Sequence, residues 1–187
     1  MLAGDVPMRV EYYDAYGDAT LRIQITPLAQ VQPTPTPVPP IIPATPPANA
    51  WLATYYNNIS LQPPAVFSRV EPRAAEWPLN YEFSLNSPVP GVVNEDNWSA
   101  RWQGRFTFQA GDYRFYARGR DGVRVYIDGI RVINAWPNTG DIVSNTFNAV
   151  GAGENVITVD MYNLGGQAWV RAWWEPTSVG ANGPARD

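Results

Sequence analysis

The sequence predicts an all-β protein, an antiparallel β-sandwich or barrel, and three observations support this fold class. Aromatic residues favour strands and bury large areas, and they make up 13% of the 187 residues. The 15 glycines and 19 prolines divide the chain into short segments, as turns do. Several of these segments alternate apolar and polar side chains, and none keeps the apolar period of a helix. Many short strands separated by regular turns are typical of sandwiches and barrels.

The clearest strands lie in the middle of the chain. Arg105–Phe108 and Tyr113–Ala117 alternate, and Val123–Ile127 is joined to Ile130–Ile133 by Asp128-Gly129. A two-residue Asp-Gly connection predicts a tight hairpin, because both turn positions need a positive φ. Alternation places Arg124 and Tyr126 on the outer face. The side chains expected to face the core are those of Val123, Val125 and Ile127.

The last two strands are predicted at Val156–Val159 and Ala168–Trp173. The connection between them, Asn163–Gly166, contains two glycines and an asparagine, which are common turn residues. We therefore expect the two strands to pair as a terminal hairpin.

A second copy of this hairpin is predicted at the N-terminus. Residues 2–23 align with residues 151–172, with two glycines and a tyrosine in register, so residues 1–27 are interpreted as a hairpin homologous to 150–174. A hairpin of edge type can add to the sheet of a neighbouring copy or repeat module and satisfy its free backbone groups. A tandem array cut within a repeat is the alternative explanation. The residues expected to mediate self-association are Val10, Tyr12, Tyr13, Leu21, Ile23 and Ile25.

Residues 28–50 are predicted to be an extended linker, because residues 31–50 alone contain eight prolines. Proline removes a backbone donor and fixes φ, so this segment joins neither a sheet interior nor a helix. At about 3.1 Å per residue, residues 31–50 would span roughly 60 Å. Thr-Pro tracts are typical of O-glycosylated stalks, and Asn58-Ile59-Ser60 matches the N-glycan acceptor pattern. The candidate glycosylation sites are Thr34, Thr36, Thr45 and Asn58.

The composition limits the chemistry that is open to this chain. It contains no Cys, His or Lys, which removes thiol nucleophiles, imidazole bases, Schiff-base lysines and the commonest metal ligands. We therefore expect no catalytic residues and no enzyme activity. A net charge of −4 argues against nucleic-acid binding, and no apolar run is long enough for membrane insertion. Glu71, Glu76 and Glu82 are interpreted as solvated strand-edge charges rather than glycosidase carboxylates.

A polar loop with an exposed aromatic ring is predicted at Trp136–Gly140. Trp136 and Asn138 are candidate ligand-binding residues, because an indole can stack on a sugar ring and an amide can bond its hydroxyls. Packing of Trp136 in the core is the alternative interpretation.

Five stretches, in this order, resemble the fourteen-kilodalton β-sandwich module named after anthrax protective antigen. They are Trp51–Asn57, Asn97–Gly104, Gly111–Phe115, Asp121–Gly129 and Tyr162–Ala168. The resemblance covers about residues 51–176 and leaves 177–187 as a C-terminal tail. It implies a jelly-roll-like sandwich that serves as a non-catalytic binding or spacing module in secreted toxins, glycosidases and adhesins, and hence an extracellular or cell-surface location.

The lectin-like branch of this family places two successive Asp, joined by a cis peptide, at a calcium ion that binds sugar. Here Arg120 stands in place of the first Asp, leaving Asp121, with Asn163 as its partner from another loop. Arg120 would repel a cation and pair with Asp121, so no cofactor is expected and calcium only in a degenerate form of this site. In the alternative, Asp121 is a turn residue before Gly122.

Two functions follow from these observations. The first is a structural or adhesive extracellular module that self-associates through its N-terminal hairpin and linker, as a filament, surface array or tandem repeat. The alternative is a carbohydrate-binding accessory module of a larger surface protein or glycosidase, without the paired-Asp calcium site.

Overall fold

A computed structural model describes residues 9–13, 15–18, 20–23 and 45–177, apart from the side chains of 137–139. The chain divides into two units, Met1–Pro37 and Val38–Asp187. The described residues of the second unit contain nine strands: β1 Ala50–Tyr56, β2 Phe67–Pro72, β3 Leu79–Ser84, β4 Trp98–Phe108, β5 Gly111–Ile127, β6 Ile130–Thr139, β7 Val143–Val150, β8 Gly153–Asn163 and β9 Ala168–Pro176. All pair antiparallel, which confirms the all-β prediction. In the described part, no helix is long and apolar enough to cross a membrane.

The strands form one strongly curled sheet whose two halves face each other across the core. We call β2-β1-β4-β8-β5-β6 the first sheet and β3-β9-β5-β7 the second sheet. The fully buried Trp51, Trp98 and Trp102 fill the space between them, together with rings such as Tyr55 and Phe115. The largest fully buried side chains are therefore aromatic, as the composition indicated.

Strand β5 belongs to both sheets, and its bend positions the residues described below. Its pairing with β9 ends at Gly119, and its pairing with β8 begins at Gly122. Strands that change sheets do so at bends or bulges, where small residues are tolerated. Arg120 and Asp121 lie at this bend, joined by a cis peptide bond. The two runs that the sequence predicted as separate strands, Tyr113–Ala117 and Val123–Ile127, are thus parts of one strand.

The predicted Asp-Gly hairpin is present between β5 and β6. Asp128 and Gly129 have φ values of 46° and 80°, as a turn of this type requires. The three residues predicted to face the core, Val123, Val125 and Ile127, are buried.

The prediction that the last two strands pair as a hairpin is wrong. Strand β8 pairs with β4 and β5, whereas β9 pairs with β3 and β5, so residues 164–167 cross from the first sheet to the second. Val159 of β8 and Val170 of β9 are both fully buried, each on the inner face of its own sheet. Alternation shows which side of a strand is buried, but it does not show which neighbour the strand bonds.

The predicted loop at residues 136–140 is also wrong, because β6 continues through Thr139. Asn138 and Thr139 pair with Asp121 and Arg120. The register shifts between these pairs and the next, at Ala135, which places Pro137 in the irregular stretch. A bulge of this kind accommodates a proline that cannot donate to the ladder.

Glu71 is buried, and the interpretation of this residue as a solvated charge is wrong. Its carboxylate accepts hydrogen bonds from the Tyr55 hydroxyl at 2.9 Å, Arg69 Nε at 2.7 Å and Trp102 Nε1 at 2.9 Å. These three donors satisfy a charge that is only 3% exposed. Glu76 and Glu82 are exposed, as expected.

The last residues of the predicted linker are attached to the module. Arg105 binds both Pro46 and Pro47, since its Nε donates to the Pro46 carbonyl and its backbone N–H to the Pro47 carbonyl, each at 2.8 Å. Asn49 N–H donates to the Arg105 carbonyl, also at 2.8 Å. This segment leads directly into β1, and Thr45 before it is exposed. Thr34 and Thr36 lie outside the described residues.

Candidate functional site

Three segments meet at one end of the sandwich: residues 95–97 before β4, residues 119–122 at the bend of β5, and residues 163–166 after β8. We call this end the loop end. Asn163 Nδ2 donates to the Glu95 carbonyl at 3.1 Å, and the Gly166 N–H donates to Asp96 Oδ1 at 3.0 Å. The Leu164 N–H donates to Asp121 Oδ2 at 2.6 Å. Side-chain-to-backbone bonds thus hold the three segments together.

Arg120 and Asp121 present a donor and an acceptor next to each other at the loop end. Arg120 Nε lies 3.9 Å from Asp121 Oδ1, and the two side chains are 49% and 25% exposed. One carboxylate oxygen of Asp121 is engaged by Leu164, which fixes its orientation. Both side chains are partly exposed, so the pair can make polar contacts with a ligand.

Asn163, the third candidate from the sequence, lies beneath this surface. The residue is fully buried, and its Oδ1 has no hydrogen-bond partner. Its amide nitrogen holds the segment before β4 through Glu95. Asn163 therefore helps to position the segments of the loop end, and its burial prevents direct contact with a sugar ring.

Trp136 is half-buried beneath the loop end and packs against protein. Its ring lies 4.3 Å from the Tyr162 ring, centroid to centroid, and the Arg124 guanidinium lies 4.1 Å from its centroid. A Cβ at Gly122 would come within 2.4 Å of Tyr162 Cε1, so the bend of β5 needs a glycine here. Burial, and secondarily the charge of Asp121, raise the pKa of Tyr162. Asn138 lies next to Asp121 along the β5–β6 ladder, and its side chain is outside the description.

Calcium is the cofactor that the resemblance implies, and the residues present do not fit it. The buried, unpartnered Asn163 Oδ1 is the kind of oxygen that a cation would use. However, Ca²⁺ takes 6–8 oxygen ligands, and Arg120 supplies a positive charge where a second carboxylate is needed. Among the described residues, no group of three or more acidic side chains could hold a metal ion.

The other candidate residues lie away from the loop end or outside the residues that the structure describes. Asn58 Oδ1 accepts hydrogen bonds from Ser60 and Gln62, and Asn58 Nδ2 donates to the Gln62 carbonyl at 2.8 Å. The nitrogen to which an N-linked glycan would attach is therefore already engaged in a hydrogen bond within the protein. In the described residues of 1–27, no strand is formed. Ile25 lies outside them, and the N-terminal hairpin stays a prediction. The described self-association candidates Val10, Tyr12, Tyr13, Leu21 and Ile23 are exposed.

Sequence reasoning missed the residues that build the loop end from outside the β5 motif. The Asp96 side chain and the Glu95 carbonyl accept the hydrogen bonds that connect the segments. The Tyr162 ring packs against Trp136 beneath them. Asp96 was detectable only as an acidic residue in a polar run before a strand. Its partner Gly166 is distant in the chain, and no local pattern connects the two.

A family model described as the PA14 domain matches residues 48–187. Anti-sigma-I factor RsgI3 of Acetivibrio thermocellus is 26% identical over 179 residues, which is 89% of this chain and 26% of that protein. The chain thus spans about a quarter of the length of this curated relative.

Two solved structures show the same fold. An anti-sigma factor domain-containing protein has a TM-score of 0.58 at 23% identity, and the match covers 68% of this chain and 42% of that one. A PA14 sugar-binding domain from an RTX adhesin has a TM-score of 0.55 at 16% identity, covering 71% and 93%. At such identities, these similarities establish the fold alone.

Proposed function

The chain belongs to the PA14 domain family, and from this premise we propose that it is a non-catalytic, extracellular carbohydrate-binding module. The loop end is its binding site in this proposal. Similarity to a domain described as sugar-binding supports the ligand class. The curated relative is an anti-sigma factor much longer than this chain, and in a longer protein of that kind the module would be the part that meets the ligand.

The observation that carries this proposal is the Arg120–Asp121 pair, whose side chains are half and one-quarter exposed, on a bend that Leu164 holds in place. Sugar recognition needs a few polar groups at fixed positions. Neighbouring sugar hydroxyls can accept hydrogen bonds from a guanidinium and donate hydrogen bonds to a carboxylate. Asp96, exposed on the neighbouring segment, adds a second carboxylate. Because Arg120 replaces a calcium ligand, the proposed contact is direct and independent of calcium.

A glycan array probed with the full chain, with EDTA and with added Ca²⁺, tests this function. We expect the same glycans to bind in both conditions. In titration calorimetry with such a glycan, Arg120→Ala should weaken binding by about tenfold or more, since a hydrogen bond to a charged group contributes about 1.5–3 kcal/mol.

The matched control is Arg131→Ala. Arg131 is also exposed, but it follows the Asp-Gly turn at the other end of β5–β6. An array without hits, or equal losses in the two variants, contradicts the proposal. Binding that disappears in EDTA refutes its calcium-independent form.

The described structure and the relatives do not bear on self-association through residues 1–27. That function stays a prediction from the sequence.

A further inference from the structure

The outer face of the second sheet contains a cavity whose lining residues differ from those of the loop end. Trp169, Arg171 and Trp173 of β9 alternate with fully buried residues, so they point away from the core. Arg118 of β5 points to the same side. We call the cavity, whose volume is about 110 Å³, the arginine cleft; it is lined by Asn80, Tyr81, Glu82, Arg118, Trp169 and Arg171.

Two arginines face each other in this cleft. Arg118 and Arg171 are directly opposite in the β5–β9 register. Like charges at such positions destabilise a sheet. Four residues earlier in β5, Arg114 is opposite Glu175, which is the ordinary arrangement of opposite charges. A bound anion would therefore offset the repulsion between Arg118 and Arg171.

Both guanidinium groups are held in place. Arg118 Cζ lies 4.4 Å from the centroid of the Trp169 ring, and Arg171 Cζ lies 4.1 Å from that of Trp77. Arg171 Nε also donates to Asn80 Oδ1 at 2.8 Å. Stacking leaves the edge of a guanidinium available to donate hydrogen bonds, so these contacts orient the two groups without neutralising them.

The missing partner in the cleft is a hydrogen-bond acceptor. Arg118 Nε is buried and has no partner, and within the described residues neither Arg118 nor Arg171 forms an ion pair. On the first sheet, by contrast, Arg101 binds both oxygens of Asp160, at 2.7 and 2.8 Å. Glu82 lines the cleft and is exposed, but one carboxylate against two arginines leaves a net positive charge.

We propose that the arginine cleft binds the carboxylate of an acidic sugar, such as a uronic acid residue of a polysaccharide. The carboxylate accepts from the terminal N–H groups of Arg118 and Arg171, as guanidinium–carboxylate pairs favour. The adjacent rings Tyr116 and Trp173, which stack at 5.0 Å on the same face, provide aromatic surface for the next sugar. The chain has a net charge of −4 and therefore repels a densely charged polyanion. A polysaccharide with one carboxylate per sugar ring is repelled less.

The test is calorimetry of the full chain with polygalacturonate oligomers and the same oligomers fully methyl-esterified, both in EDTA. Esterification removes the charge and keeps the sugar backbone. We expect the acid form to bind at least tenfold more tightly than the ester, and Arg118→Gln or Arg171→Gln to abolish this difference. Arg114→Gln, on the same face of β5 outside the cleft, is the matched control and should bind like the unmodified chain.

The outcomes also separate this site from the loop end. If both cleft variants keep the preference for the acid form, the cleft is not the site, whatever binds at the loop end. Equal affinity for acid and ester, or an equal loss in Arg114→Gln, overturns the proposal. Each Gln substitution relieves a repulsion but also removes a guanidinium stack, so the thermal midpoint of each unliganded variant is measured first to show that the variant is folded. If Arg118→Gln does not fold, Arg171→Gln provides the test.

Discussion

Glu71→Gln tests whether the buried carboxylate organises the aromatic core. Glu71 accepts three hydrogen bonds inside the sandwich, and two of the donors, Tyr55 and Trp102, are themselves fully buried. Glutamine has nearly the same shape, so the substitution leaves packing intact. It changes only the charge and turns one acceptor into a donor.

The size of the effect follows from those contacts. If the new amide nitrogen faces Trp102 Nε1, two donors oppose each other, and a charge-assisted bond of about 1.5–3 kcal/mol is lost. The indole N–H is then buried without a partner, which costs about 1–3 kcal/mol more. The lost ion pair with Arg69 adds little to this loss of stability, because the Arg69 side chain is 43% exposed and water can replace the carboxylate. We expect the free energy of unfolding to fall by about 3–5 kcal/mol.

Urea unfolding followed by tryptophan fluorescence measures this difference, with the slope of free energy against urea unchanged. Glu76→Gln, which alters an exposed glutamate, is the control and should change stability by less than about 0.5 kcal/mol. A loss below about 1 kcal/mol for Glu71→Gln would refute the reasoning, because the three bonds would then contribute no more than exposed ones.

Four further predictions concern the loop end, the core and the N-terminus. Arg120→Asp should create paired carboxylates and a calcium-dependent rise in the thermal midpoint, equivalent to about 2.7 kcal/mol at a hundredfold excess over Kd, and the unmodified chain should show no rise. Gly122→Ala should cost about 1–3 kcal/mol through its clash with a tyrosine ring, while Gly151→Ala, with open space around it, should not. Burial and a nearby carboxylate raise the pKa of Tyr55 in the folded state. The stabilising contribution of the neutral Tyr55 is therefore complete below about pH 10 and is lost as the pH rises further. In Tyr55→Phe, the free energy of unfolding should fall less steeply with pH in this alkaline range. Deleting residues 1–30 should abolish multimers detected by sedimentation; identical species with and without the segment would exclude self-association through it.

Features governed by local chemistry could be predicted from the sequence. Asp128-Gly129 forms the expected turn because both positions adopt positive φ, and the alternating valines beside it are buried. The pairing of β8 and the burial of Glu71 could not be predicted, because both depend on distant partners. Trp102, which bonds Glu71, is 31 residues away in the chain.

The loop end was predicted only in part, for the same reason. Arg120 and Asp121 stood out by comparison with a family motif. Asn163 was associated with them as a loop partner of Asp121, and the bond to Asp121 comes from the next residue, Leu164. Its own full burial follows from the crossing between sheets, which the sequence had suggested to be a simple hairpin turn.

The absence of lysine has a structural consequence that composition alone did not indicate. Three arginines stack on tryptophan rings, with Cζ-to-centroid distances of 4.1–4.4 Å: Arg118 on Trp169, Arg124 on Trp136 and Arg171 on Trp77. A planar guanidinium can cover a ring and still donate from its edge, whereas a lysine ammonium is a compact, strongly hydrated charge. The same side chain thus covers tryptophans on the faces of both sheets and directs hydrogen-bond donors outward. In the arginine cleft these donors face each other, because there the sheet register places two such arginines on adjacent strands.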